Sequence, residues 1–320
     1  MKKNLNPILE KKNKMKSFSL EYPHPESNPV IKKNPSFDEK LSQIHIKDLI
    51  IVSDFDYTFT RRFHINEKTK EREQLLCGFT FYNECPEIPI EIRQKIKKLW
   101  DDLSKFENDL TIEYKIRDEK TKERFGKNIE LISSLHLKRD FISKNLEKIL
   151  NVIPFYYRYG TKKYFEILKE QNVNLILISG GIKEPIEDTL KILYNEINMK
   201  NIHIITNEFN YDENDCVIDY KKPLVYTFNK CEIVDKRIKE IFSEEELKNK
   251  YILFTGDHIN DIDAIKDINC KLKLGIGFDN NVEEGKNLND EYLKKYDAVI
   301  CNEGDFNFLN DVLEKIIKNN

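Results

Sequence analysis

The sequence predicts an α/β fold, a doubly wound parallel sheet interrupted by an inserted, mainly helical domain. Three observations predict it. Apolar runs of strand length recur between helix-like segments, several of these runs end in an acid or a hydroxyl, and a long helix-rich stretch separates the first run from the second. Strands buried on both faces read as continuous apolar runs. Their alternation with helices argues a parallel sheet, whereas an intervening stretch of about a hundred residues is too long for a simple crossover.

In chain order, residues 1–43 are polar and Lys-rich and carry Pro7, Pro23, Pro25, Pro29 and Pro35. Such a segment buries little and is expected to be a flexible basic leader; it lacks the apolar stretch of a secretory signal. Leu49-Ile50-Ile51-Val52 then forms the first buried strand, running into Ser53-Asp54-Phe55-Asp56. Residues 61–89 read as irregular. Ile92, Ile96, Leu99, Trp100, Leu103 and Phe106 recur at helical spacing and predict a helix over 90–106, with Pro89 at a tolerated start position. Further helices are expected near 109–137 and 140–151.

The α/β alternation then resumes. Tyr164, Phe165 and Leu168 mark a helix, Val173 to Ser179 a second strand, and Gly180-Gly181 its end. A helix with Pro185 early in its course is expected to run to about Asn195. Ile202 to Thr206 is a third strand, and 211–228 reads as a small hairpin turning at Asp212–Asp215. Tyr251 to Asp257 is the fourth buried strand, with 271–277 and 298–301 as a fifth and sixth. The expected division is a Rossmann-like core from 44–65 and 155–320, with a helical cap from 66–154 inserted after the first strand.

The chain has 320 residues, 39% hydrophobic and 34% charged, with a formal net charge of -3. That balance supplies no basic footprint for a nucleic-acid polymer. No apolar run approaches the roughly 18 residues of a membrane span. Six scattered cysteines without a CxxC pair argue against zinc or a disulfide framework and fit a reducing cytoplasm. No signal for an obligate protein partner is evident.

The chemistry gathers at the strand ends. Asp54 and Asp56 repel each other and cost desolvation, so folding alone would not place them behind an apolar strand; a bound cation would. Ser179-Gly180-Gly181 offers a hydroxyl and backbone N–H groups at a helix start, an arrangement suited to an anion. Lys230 is one of many lysines and becomes a candidate only through its place between the third and fourth strands. Asp257 and Asp261, in Gly256-Asp257-His258-Ile259-Asn260-Asp261, supply hard oxygen ligands of the kind that suits Mg²⁺. Asp263 and Asp267 read as helix-surface acids. His258 has no His or Cys to pair with and is not expected to be a ligand.

These four pieces, in this order, resemble the motifs of the haloacid dehalogenase superfamily of phosphohydrolases: Asp54/Asp56/Thr58, Ser179, Lys230 and Asp257/Asp261. A closer resemblance is to the type III cytosolic, or pyrimidine, 5'-nucleotidases. It is carried by Val52 to Asp56 with Thr58 and Arg61, by Ile178 to Ile182, and by Ile205 to Phe209 through Val225 to Lys230. Leu110-Thr111-Ile112-Glu113 is similar to a cap segment of that family. The chain departs from the family in Gly180, where Ala is usual, in the residues between Asp257 and Asp261, and in a more highly charged cap after Glu113.

The resemblance implies a Mg²⁺-dependent hydrolase acting on a nucleoside 5'-monophosphate, pyrimidine by preference. Asp54 would be the nucleophile and Asp56 the proton carrier. Asp54, Asp56 through its carbonyl, Asp257 and Asp261 would serve the metal, and Thr58, Ser179, Gly180 and Lys230 the phosphate. Glu107 is the nearest counterpart of the family's base-recognising acid, once a small gap is allowed. Trp100 or Phe106 is expected either to stack on a base or to belong to the helix core. The alternatives are a phosphatase of another small ester, such as a phosphoamino or sugar phosphate, and a non-catalytic phosphate-binding protein.

Overall fold

The computed structural model describes residues 20–24, 30–66, 68–109, 111–193, 199–280 and 289–319. In chain order these form β1 (Val30–Lys33), α1 (Phe37–Ser42), β2 (Leu49–Asp54), β3 (Phe63–Ile65), β4 (Arg72–Gln74), α2 (Thr80–Glu84), α3 (Ile90–Asn108), α4 (Tyr114–Ser133) and α5 (Phe141–Leu150). They continue through α6 (Thr161–Glu170), β5 (Asn174–Ile182), α7 (Lys183–Leu193), β6 (Ile202–Asn207), β7 (Phe209–Tyr211), β8 (Val217–Tyr220), α8 (Lys230–Ile241), α9 (Glu244–Lys248) and β9 (Tyr251–Gly256). The last are β10 (Leu272–Asp279), α10 (Asn289–Leu293), β11 (Ala298–Cys301) and α11 (Asn307–Lys318).

Seven strands make one sheet in the order β1-β11-β10-β9-β2-β5-β6. All neighbours are parallel except β1, which runs antiparallel to β11 at the edge. Period-two alternation sends successive side chains to opposite faces, and each face has its own core. Ile51, Leu175, Leu177, Leu253 and Ile276 join Phe306, Leu309 and Leu313 on one side. Ile50, Val52, Ile176, Ile178, Ile252 and Phe254 join Val234, Ile238 and Ile265 on the other. Because both faces are covered, the strand runs are apolar throughout and not alternating.

The expected α/β architecture holds, with differences at the edges. Residues 30–43, assigned to the flexible leader, instead supply β1 and α1. β1 covers what would otherwise be the open edge of β11, and Phe37 and Leu41 are buried in the first core. Leu20 is buried there too, and Tyr22 N–H bonds the Tyr157 carbonyl at 2.9 Å. Four-residue strands flanked by Lys and Pro give too short a pattern to stand out. Residues 1–19 and 25–29 of the expected leader, Leu110 of the cap motif, and the end of the helix expected to reach Asn195 lie outside the described residues.

Between β2 and β5 lie the β3–β4 hairpin and helices α2 to α6, so segment 61–89 is more ordered than its irregular pattern suggested. Three-residue strands are below the length at which alternation can be read. The hairpin expected over 211–228 is β7–β8, beginning two residues earlier and ending at Tyr220. It also bonds the helical insert: Val217 N–H donates to the Leu137 carbonyl and Arg139 N–H to the Asp215 carbonyl, both at 2.9 Å. Among the described residues, no helix is long and apolar enough to cross a membrane.

The turn after β2 is fixed from beneath by Arg158, which is fully buried. Its guanidinium donates to the carbonyls of Thr58, Tyr57 and Gly304 at 2.8, 2.6 and 2.7 Å and to Asn280 Oδ1 at 2.7 Å. Asn280 in turn donates to the Tyr57 carbonyl at 2.9 Å. Tyr57 sits in the left-handed region at φ 59°, so the turn needs such anchoring. Arg158→Met strips several buried carbonyls of their donor at once. The expected loss in urea unfolding is about 3 kcal/mol with an unchanged denaturant slope; a loss below about 1 kcal/mol would contradict this role.

Candidate active site

Strand order decides what meets at the carboxyl edge of the sheet, where open α/β folds place their ligands. β2 lies between β9 and β5, so Asp54 at its end is flanked by Asp257, just past β9, and by Ser179, within β5. Neighbouring strands are about 4.8 Å apart, which brings three distant chain segments within side-chain reach. Ser53 points the other way and locks β2 to β9 through Thr255, 2.6 Å away.

Asp54 is buried. Its Oδ1 accepts from Lys230 Nζ at 2.5 Å and its Oδ2 from the Thr58 hydroxyl at 3.2 Å. Asp56 is re-aimed by the turn onto different partners. Its Oδ2 accepts from the Ser179 hydroxyl at 3.0 Å and its Oδ1 from the Gly78 N–H at 2.5 Å. The Gly181 N–H donates to Ser179 Oγ at 2.8 Å. Burial pushes the Asp56 carboxyl up, against the pull of these N–H and hydroxyl donors.

Lys230 opens α8 and bridges Asp54 to Asp261, the latter at 2.9 Å. Asp54, Asp257 and Asp261 each offer an oxygen, and these oxygens all lie within 4.8 Å of one another. Lys230 bonds two of these three carboxylates and Arg62 acts on Asp257 from farther away, which leaves the cluster net negative. Burial, opposed by Lys230, pushes Asp54 up to about 7. Burial and then the Asp54 charge push Asp257 well above the usual carboxylate range. For Asp261, burial is outweighed by Lys230 and by the His258 side, so its carboxyl is lowered. Lys230 is raised because its two acids outweigh its own burial. Hard oxygen donors with excess negative charge are a donor set that fits a divalent cation.

His258 contributes its backbone N–H to Asp261 at 3.0 Å. Asp263 pairs with Lys295 at 2.9 Å, away from the cluster. Gly256 must lack a side chain here, since a Cβ would fall 2.7 Å from the Asp261 Cβ.

Glu107 has both oxygens engaged, Oε2 by Arg124 and Oε1 by the Thr227 hydroxyl. A base edge would therefore have to displace one of them. Arg124 is buried and lies 4.3 Å over the Trp100 ring, and Trp100 is 37% exposed. The tryptophan is thus a half-open cover over a cap arginine.

Two neighbours of the site escaped the sequence. Gly78 lies in the segment read as irregular, but a Cβ there would lie 3.2 Å from Asp56 Oδ2 and 3.4 Å from the Gly181 Cα. Phe125 was not singled out in the sequence; its ring abuts Gly180, where a Cβ would fall 2.7 Å from Phe125 Cε1. A small residue among bulky ones was the only signal for Gly78; nothing linear marks Phe125. The same contact leaves no room at position 180 for the Ala that the resemblance led one to expect. Gly180→Ala is expected to destabilise by about 1–3 kcal/mol through overpacking, with most of the loss recovered in the Gly180→Ala/Phe125→Leu double variant. Additive losses in the denaturation midpoints would rule out the pairing.

A family model described as pyrimidine 5'-nucleotidase (UMPH-1) matches residues 60–317. The 7-methylguanosine phosphate-specific 5'-nucleotidase of Rattus norvegicus is 24% identical over 277 residues, covering 84% of this chain and 85% of its own. The putative cytosolic 5'-nucleotidase 3 of Caenorhabditis elegans is 26% identical over 272 residues, covering 83% and 69%. Among solved structures, cytosolic 5'-nucleotidase IIIB bound to cytidine shares the fold with a TM-score of 0.73 at 19% identity, covering 92% of this chain and 95% of its own. The chain therefore belongs to the pyrimidine 5'-nucleotidase (UMPH-1) family and is a phosphoric monoester hydrolase.

Proposed function

We propose that the protein is a Mg²⁺-dependent 5'-nucleotidase that hydrolyses a nucleoside 5'-monophosphate through an aspartyl-phosphate on Asp54. The observation that carries the mechanism is the separation of the two motif acids. Asp54 faces Lys230, Asp257 and Asp261, while Asp56 is bonded by Ser179 and Gly78. This separation supports the reading in which Asp54 attacks and Asp56 handles a proton.

Asp54, the Asp56 carbonyl and Asp257 would hold the Mg²⁺, with Asp261 supporting it from beside Lys230. When bound, the ion supplies the positive charge that lets an anionic nucleophile approach a phosphate dianion. Asp54 Oδ attacks phosphorus, and the ester oxygen leaves with a proton from Asp56, whose burial favours the protonated form. Asp56 then takes a proton from the water that hydrolyses the acyl-phosphate and is ready for the next cycle. The Thr58 and Ser179 hydroxyls, the Gly180 N–H and Lys230 hold the non-bridging oxygens as charge redistributes. The helical insert of 66–154 acts as the cap, excluding water and reading the leaving group.

Base choice falls to the cap. Pyrimidine is the first reading, from the family description. A 7-methylguanine nucleotide is the second, favoured by the relatives named for that substrate. In either case a base edge at Glu107 would compete with Thr227. The substrate is a small soluble ester, and the cysteine pattern fits a cytoplasmic setting.

The test is phosphate release from a panel of CMP, UMP, 7-methyl-GMP, AMP, phosphoserine and sugar phosphates. A preference for one or more nucleotides of about tenfold or more in kcat/KM is expected; equal rates on all esters would contradict the nucleotidase reading. Asp54→Asn is expected to lower kcat by more than about a thousandfold while remaining folded. Activity within about tenfold of wild type would remove Asp54 as the nucleophile.

A further inference from the structure

Asn207 ends β6 and has no part in the mechanism above, yet its side chain joins the two halves of the phosphate site. It is 1% exposed. Its Nδ2 donates to the Gly180 carbonyl at 2.7 Å and to the Val225 carbonyl at 2.8 Å, and its Oδ1 accepts from the Val225 N–H at 2.9 Å. The amide therefore grips both polar groups of Val225 as a neighbouring strand would, fixing direction as well as distance.

Each partner leads to a phosphate ligand. Gly180 follows Ser179, and the planar peptide that carries its carbonyl also carries the Gly181 N–H. Pinning the Gly180 carbonyl thereby aims the Gly181 N–H at Ser179 Oγ, 2.8 Å away, and leaves the Ser179 hydroxyl to donate to Asp56 at 3.0 Å. Val225 opens the segment that leads to Lys230. Asn229 staples that segment internally, its Nδ2 donating to the Leu224 carbonyl at 2.7 Å and its Oδ1 accepting from the Tyr226 N–H at 2.9 Å. A shift at Val225 therefore moves a rigid unit whose next residue is Lys230.

On the basis of the phosphate site described above, we propose that Asn207 is a positioning residue. Its one buried amide sets the Ser179–Gly180 turn in register with the segment that aims the Lys230 ammonium. Catalytic hydrogen bonds tolerate little displacement, so the effect is expected on transition-state stabilisation more than on ester binding.

The experiment compares wild type with Asn207→Ala, Asn207→Asp and, as a remote control, Ile316→Ala in the buried face of α11. The readouts are kcat, KM, the Ki of orthovanadate and the thermal midpoint. Asn207→Asp keeps the acceptor for the Val225 N–H but turns an anionic oxygen toward two carbonyls, so it tests the donor role separately and serves alone should the Ala variant fail to fold. The expected result is a kcat loss of about tenfold to a hundredfold and a Ki for vanadate raised about tenfold in both Asn207 variants, with KM changed less. The Ile316→Ala enzyme, at a comparable loss in midpoint, is expected to keep kcat and Ki within about twofold. A folded Asn207 variant with wild-type kcat and vanadate Ki overturns the inference, as do losses matched by Ile316→Ala. A wild-type protein that neither hydrolyses phosphate esters nor binds vanadate overturns the phosphatase mechanism itself, and this inference with it.

Discussion

The structure depends on a charge imbalance buried at the end of its central strand. Asp54, Asp257 and Asp261 converge, with Lys230 bonded to two of them and Arg62 acting at longer range on Asp257. A fold does not assemble three carboxylates in low dielectric for its own stability, because each carries a desolvation penalty and each repels the others. Burial pushes the Asp54 and Asp257 carboxyls up, in the direction that this cost dictates. The rest of the sheet is arranged to hold them regardless: β2 sits between the two strands that deliver the partners, and two separate hydrophobic cores clamp its faces.

Around this centre, hydrogen bonds from backbone, amide and guanidinium groups do the aligning. Arg158 and Asn280 hold the turn that separates Asp54 from Asp56, and Gly78 closes over Asp56 with a backbone donor. Asn207 and Asn229 fix the approach to Lys230. The cap reaches the same segment from the other side, through Glu107 on Thr227 and Asp118 on the Tyr226 hydroxyl at 2.7 Å. The segment before Lys230 is therefore shared between sheet and cap. A change in cap position has a short path to Lys230 and Asp54.

The strands and the acids at their ends were legible because both signals are local: continuous apolar runs, then carboxylates that no core would choose. Ser179 was read as a hydroxyl at a strand end, whereas Thr58 and Lys230 were singled out by the motif resemblance; the structure bonds Thr58 and Lys230 to Asp54 and Ser179 to Asp56. The misses share a different cause. β1, β3 and β4 are too short for a pattern, and β1 and α1 were hidden among Lys and Pro. Gly78, Phe125, Arg158 and Asn207 act through contacts with residues far away in the chain, and no periodicity encodes such a pairing. Glu107, chosen for its place beside a cap motif, has its carboxylate already occupied by Arg124 and Thr227.

The most direct test of the central claim is calorimetric titration of Mg²⁺ into EDTA-stripped protein, wild type against Asp257→Asn. The account expects one saturable Mg²⁺ site in the wild type, a rise in thermal midpoint as it fills, and the loss of both in Asp257→Asn. It also expects the stripped Asp257→Asn protein to be at least as stable as the stripped wild type, because one of the repelling charges is gone. A stripped wild type that binds no Mg²⁺ and hydrolyses its substrate at full rate would contradict it.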